Sequence, residues 1–162
     1  MSVLPAGYPT TQPEALALLS TRQKLSIDDM KMLALLEAAG EVFYFALADA
    51  SGNDEIKSLL RRNGQEERGH AHRLLKAMAL LGEDYTLPGD NDNPYITHMP
   101  MRGLLSEQFL AMIEKSEMDG DLQYQQWADA EANPEVAKLF RQNGSEETRH
   151  GERVARVKEL LI

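Results

Sequence analysis

The chain carries the same helical segment twice, and this limits its folds more than any other feature. Arg61–His70 reads RRNGQEERGH, and eighty residues later Arg141–His150 reads RQNGSEETRH. The same offset relates EAAGEVFY (Glu37–Tyr44) to EMDGDLQY (Glu117–Tyr124) and ADASGNDE (Ala48–Glu55) to ADAEANPE (Ala128–Glu135). Each copy spans the end of one helical pattern and most of the next, so the repeated unit is a helical hairpin. Two such hairpins predict a bundle with a pseudo-twofold axis, and anything at its centre would be built from both copies.

Four long helices follow from the apolar periodicity and the punctuation. The first begins at SIDD, where Ser26 is an N-cap and the acids favour the helix dipole, and stops at SGN. The second runs from about Asp54 to Leu81 and ends at Gly82. The third runs from about Arg102 to Glu131. The fourth opens at NPE, with Asn133 as cap and Pro134 in the first helical position. Joints of about four residues make each pair antiparallel. Between the pairs lies GEDYTLPGDNDNPYITHMP. A helix of ~28 residues is ~42 Å long, and ~20 extended residues reach ~66 Å. The linker can therefore return the chain along the whole bundle. The expected organisation is an arm over residues 1–25, with a possible short helix at PEALALLSTRQ, and an all-α bundle over residues 26–162. Its hairpins are 26–81 and 102–162 and its crossover is 82–101, which is the ferritin-like arrangement.

The core stripes of these helices are interrupted by polar residues that keep the same register. Ile56, Leu60, Leu74, Met78 and Leu81 form one stripe, and Asn63, Glu67 and His70 fill its gap. Val136, Phe140, Val154, Val157 and Leu161 form the counterpart, filled by Asn143, Glu147 and His150. Glu37, Gly40 and Tyr44 lie in the stripe of the first helix, and Glu117, Gly120 and Tyr124 in that of the third. Four glutamates and two histidines thus point to the bundle centre. Unpaired buried carboxylates cost roughly several kcal/mol each even after relaxation. Two divalent cations balance four carboxylates, and neutral imidazoles complete the set. A Glu-x-x-His pair presents both side chains on one helix face. Oxygen ligands with one imidazole per ion suit iron or manganese better than a closed zinc site. A lone Glu-x-x-His on a charged helix is usually a solvated face. Here it occurs twice, with a further glutamate thirty residues upstream of each copy. Glu66, one residue off this face, is expected to tolerate substitution, and His72 and His98 read as surface residues.

Composition narrows the partners. The formal net charge is −9, which argues against a nucleic-acid surface or an anionic membrane face. No apolar run approaches the ~18 residues of a membrane span. The N-terminus has no basic start followed by an apolar stretch, so the expected location is cytoplasmic. Cysteine is absent, which excludes disulfides, thiol catalysis and thiolate metal sites.

Glu37, Glu67-Arg-Gly-His70, Glu117 and Glu147-Thr-Arg-His150 resemble the ligand set of ferritin-like di-iron carboxylate proteins, over roughly residues 27–160. Within that superfamily the chain is most similar to the rubrerythrin branch: ERGHAHR resembles its second-helix motif, and EKSE places Glu114 one turn from Glu117, like the extra carboxylate of rubrerythrins. The resemblance implies a centre of two iron ions that reduces hydrogen peroxide. Glu67 and Glu147 would bridge, Glu37 and Glu117 would be terminal, His70 and His150 would each serve one ion, and Glu114 would be a seventh, exchangeable ligand. Tyr44 and Tyr124 are candidate catalytic residues, with core packing as the plainer reading. Rubrerythrins usually also carry a rubredoxin domain with paired CxxC motifs, which a chain without cysteine lacks, so electrons would come from an external donor. The expected substrate is peroxide or dioxygen, and the expected assembly a homodimer or larger homo-oligomer. The alternatives are a ferroxidase or iron-storage protein, a metal-free interaction bundle, and a dioxygen-dependent hydroxylase, which needs an organic substrate pocket.

Overall fold

A computed structural model describes residues 3–161. Among these the regular elements are helices: α1 (Gln12–Ser20), α2 (Ile27–Asp49), α3 (Asp54–Leu80), α4 (Glu107–Ala130) and α5 (Pro134–Leu160), with a 3-10 turn at Asp90–Asp92. The chain is an all-helical, ferritin-like bundle. α2 packs along α3 and α4 along α5, while the two hairpins meet chiefly through α3 and α5. α2 and α4 stand apart.

Local chemistry sets the helix ends. Ser26 and Asp29 form a reciprocal capping box at the start of α2. Asn53 and Asn133 cap α3 and α5 in the same manner, each side chain accepting from the two backbone N–H groups that follow at positions two and three. Gly82, at φ +90°, ends α3 in the left-handed conformation that a side chain would resist. The third bundle helix begins five residues later than the sequence suggests. Gly103 sits at φ +88°, Leu104 and Leu105 pack onto the core, and Ser106 caps the Phe109 N–H. The crossover therefore extends to residue 106.

The core is divided in two. One apolar cluster holds Met30, Leu33, Leu74, Met78, Trp127 and Phe140, and the other holds Tyr44, Leu47, Leu60, Leu110, Val154 and Val157. The polar centre lies between them. The N-terminal segment is tied down. The Tyr95 hydroxyl donates to the Pro9 carbonyl, and Gln12 Nε2 donates to the Tyr95 carbonyl. Gln123 and Trp127 on α4 donate to the carbonyls of Leu19 and Arg22. α1 thus closes one end of the gap between α2 and α4. No helix among the described residues is long and apolar enough to cross a membrane.

Candidate metal centre

Each bundle helix contributes from its middle, where the inward stripe turns polar. α2 supplies Glu37, α3 supplies Glu67 and His70, α4 supplies Glu117, and α5 supplies Glu147 and His150. Two four-residue groups result: Glu37, Glu67, His70 and Glu147, and Glu67, Glu117, Glu147 and His150. Within each, one donor atom per residue lies within 4.8 Å of the others. Glu67 and Glu147 belong to both groups, and the two histidines fall in different groups.

The distances repeat under the eighty-residue offset. His70 Nδ1 lies 3.7 Å from Glu37, 3.4 Å from Glu67 and 3.4 Å from Glu147. His150 Nδ1 lies 3.8 Å from Glu117, 3.3 Å from Glu147 and 3.5 Å from Glu67. The two imidazoles stack at 5.1 Å between centroids. Donors held about 2.1 Å from one ion at octahedral right angles lie about 3 Å apart, so small closing movements suffice for a shared cation. The orphaned atoms agree with this. Glu67 Oε2, Glu147 Oε2 and both Nδ1 atoms are buried without a hydrogen-bond partner. Buried polar atoms are rarely left so in a folded protein.

The charge state of the cluster is the one expected of carboxylates crowded away from water. Burial, reinforced by Glu67 and Glu147, pushes Glu37 up to about 8. Burial and Glu147 push Glu117 well above its ordinary range. Burial also acts on Glu67 and Glu147, yet the adjacent histidines hold Glu67 below its ordinary value, and Glu117 and the histidines do the same for Glu147. Burial alone would lower His70 and His150, but their carboxylate neighbours outweigh it and raise both. A divalent cation at the Nδ1 side replaces those protons as the source of positive charge.

Tyr44 and Tyr124 cross the molecule. The Tyr44 hydroxyl on α2 donates to Glu117 on α4, and the Tyr124 hydroxyl on α4 donates to Glu37 on α2. Each hairpin therefore holds the other's carboxylate. Burial and the facing carboxylates raise both phenols well above their ordinary value, so they remain donors.

An outer layer escapes the stripe reasoning. Glu146 accepts at 3.0 Å from His70 Nε2 and is clasped by both guanidinium nitrogens of Arg73 at 2.7 and 2.9 Å. Glu66 lies 3.3 Å from His150 Nε2, off the line of a hydrogen bond, and is clasped by Arg153 at 2.5 and 3.1 Å. Arg73 also donates to Asn143 and Arg153 to Asn63, while the two asparagines donate to the backbone carbonyls of His70 and His150. A carboxylate at Nε2 keeps a proton there and turns the Nδ1 lone pair toward the cluster. The expectation that Glu66 is a bystander is corrected. It lies off the apolar stripe but bends beneath the opposite helix's histidine. The signal was present, since Glu66 and Glu146, and Arg73 and Arg153, are related by the same offset.

Glu114 is placed elsewhere. Its carboxylate is paired with Lys158 of α5 at 2.5 Å, and it belongs to neither four-residue group. One turn along α4 from Glu117, it lies on the flank facing α5, where a lysine meets it. His72 and His98 are exposed.

Fold and centre together define a ferritin-like carboxylate bundle with a buried Glu/His cluster that could hold metal. The rubrerythrin family model matches residues 34–158, and the chain belongs to that family, a ferritin-like di-iron family. Comparison with curated proteins and with solved structures found no match.

Proposed function

We propose that the chain is a non-haem di-iron oxidoreductase that reduces hydrogen peroxide, or reacts with dioxygen, with electrons from an external donor. The observation that carries this reading is the box of four carboxylates and two imidazoles, in which Glu67, Glu147 and both histidines have buried atoms without partners. Glu67 and Glu147 would bridge two iron ions, with manganese the nearest substitute. Glu37 with His70 would complete one ion's set, and Glu117 with His150 the other's. When bound, the iron pair supplies two electrons between its reduced and oxidised states, which matches the two electrons and two protons that turn one peroxide into two waters.

The chain's own residues manage charge and protons around that exchange. Tyr44 and Tyr124 each hold one oxygen of a terminal carboxylate and leave the other free toward the centre. Glu146–Arg73 and Glu66–Arg153 set the imidazoles. The apolar clusters on either side of the centre lower the dielectric around it, which strengthens the electrostatic interactions within.

The ferroxidase reading gains from one observation. With Glu114 paired to Lys158, the remaining six residues are symmetric, and nothing acidic is added to separate peroxide chemistry from simple iron oxidation. Anaerobic loading with iron(II), metal analysis and titration with peroxide distinguish the two. The oxidoreductase reading requires two irons per chain and one peroxide consumed per chain, with renewed turnover on adding a reductant. Accumulation of many irons per chain in a large assembly would establish storage instead, and a protein that binds no stoichiometric iron would refute both.

A further inference from the structure

The gap between α2 and α4 is a cleft of about 690 Å³ that descends to the carboxylate cluster. Its floor is made by Glu37, Glu67, Glu117 and Glu147. Leu36 and Phe43 of α2 and Met112 and Ile113 of α4 form its walls. One end is closed where Phe43 meets Phe109 edge to face, with ring centroids 6.2 Å apart. The other end is closed by Leu16 and Leu19 of α1, with Trp127 beneath them. Water takes about 30 Å³ per molecule in the liquid, so the cleft has room for about twenty. Peroxide or dioxygen needs a small fraction of that space. Concave sites of about 300–1,000 Å³ with apolar walls and a few converging polar groups are the usual form of small-molecule sites.

We propose that this cleft binds an uncharged organic molecule with an aromatic or hydrocarbon body, one end resting against the carboxylate floor. The walls select an apolar body. An ion of either sign would lose its hydration among leucine and phenylalanine side chains and meet no unpaired counter-charge at the rim. The rim's Lys115 and Asp119 already neutralise each other at 2.5 Å. Gly40 and Gly120 lie in the cleft beside Glu67 and Glu147, so a guest can reach the bridging carboxylates without crossing a side chain. The purpose of such a guest rests on the redox reading of the floor, whereas its binding does not.

Trp127 is the single tryptophan of the chain and lines the cleft, so it reports occupancy directly. The probe is N-phenyl-1-naphthylamine, uncharged and aromatic, titrated into protein loaded with manganese(II). The expected result is saturable uptake of one probe per chain with quenching of Trp127. Leu36→Glu, which places a charge on the wall, and Ser116→Phe, which fills the cleft from an exposed position of α4, should each weaken binding at least tenfold. Leu122→Glu, at an exposed apolar residue outside the cleft, should leave it unchanged. Unsaturable uptake, equal binding by all variants, or equal weakening by Leu122→Glu overturns the proposal. So does one probe per two chains with binding that falls as protein concentration rises, which makes the cleft an interface between copies. Metal content is measured on the same samples. Probe binding without stoichiometric metal sinks the oxidoreductase reading and leaves the cleft; two metals per chain without probe binding does the reverse.

Discussion

Glu146 shows how a residue outside the apolar stripe governs the centre. Its carboxylate links Arg73 of α3 to the far nitrogen of His70, so its loss leaves a buried imidazole free to rotate and an arginine half-satisfied. Outer carboxylates of this kind are worth roughly 10–100-fold in metal affinity. Glu146→Ala is expected to weaken one of two manganese sites at least tenfold in calorimetric titration, with the other site nearly unchanged. Glu66→Ala is expected to act on the His150 site in the same direction and less strongly, because that contact lies off hydrogen-bond geometry. Two equal, unperturbed sites in Glu146→Ala would remove any positioning role. The six inner residues were legible in the sequence because each continues the register of an inward apolar stripe. Glu66 and Glu146 were not, because a stripe argument discards whatever lies beside the stripe. Only the arginines seven residues on, in both copies, betrayed them. The Lys158 partner of Glu114 was not legible for the converse reason: one turn of separation fixes a common side of the helix, but not which neighbouring helix supplies the partner.

Among the elements, α2 and α4 differ in how closely they approach Glu67 and Glu147, the carboxylates shared by both groups. A Cβ on Gly40 would lie 3.1 Å from Glu67 Cδ, whereas one on Gly120 would lie 3.6 Å from Glu147. The first is tight and the second is ordinary contact. Replacing glycine within a helix by alanine gains about 1 kcal/mol of helix propensity. Gly120→Ala is therefore expected to raise Tm by about 2–4 °C with both metals retained. Gly40→Ala should lose most of that gain and weaken metal binding, because Glu67 must move. Thermal melts with and without manganese compare the two; the same rise in both variants would show that the closer approach has no consequence. The helices themselves were readable from caps and periodicity. The late start of α4 was not, because the left-handed turn at Gly103 and the packing of Leu104 and Leu105 are settled by the core they meet. The gap between α2 and α4 was equally invisible, since apolar residues lining a cleft have the same spacing as residues filling a core.

The whole molecule should respond to pH in a direction set by its centre. Glu37 is raised from 4.5 to about 8. A raised carboxyl contributes stability in full below its unfolded value, and that stability is lost as pH climbs toward the folded value. His70 and His150, raised above 6.5, act in the same sense at higher pH. Glu66, Glu67, Glu146 and Glu147 are lowered, so their contribution is present above 4.5 and lost in acid. Chelated protein is therefore expected to be most stable near pH 5 and to lose at least ~5 °C in Tm by pH 8. Divalent metal should restore more stability at pH 8 than at pH 5, because binding must displace protons that are already leaving. Differential scanning calorimetry at both values, with and without manganese, measures this. A metal increment that shrinks with rising pH would contradict the assignment of the raised groups.

The crossed tyrosines carry a consequence for the order of assembly. Tyr44 serves Glu117 and Tyr124 serves Glu37, while Glu67 and Glu147 belong to both groups. A hairpin on its own owns three residues of one group and one of the other, and none of the hydroxyls that steady its outer carboxylate. Cations therefore have no complete nest to template on a nascent first hairpin. Capture would be a late kinetic event, limited by how fast the second hairpin docks onto the first, and metal uptake during refolding would double as a clock for the final closure of the chain.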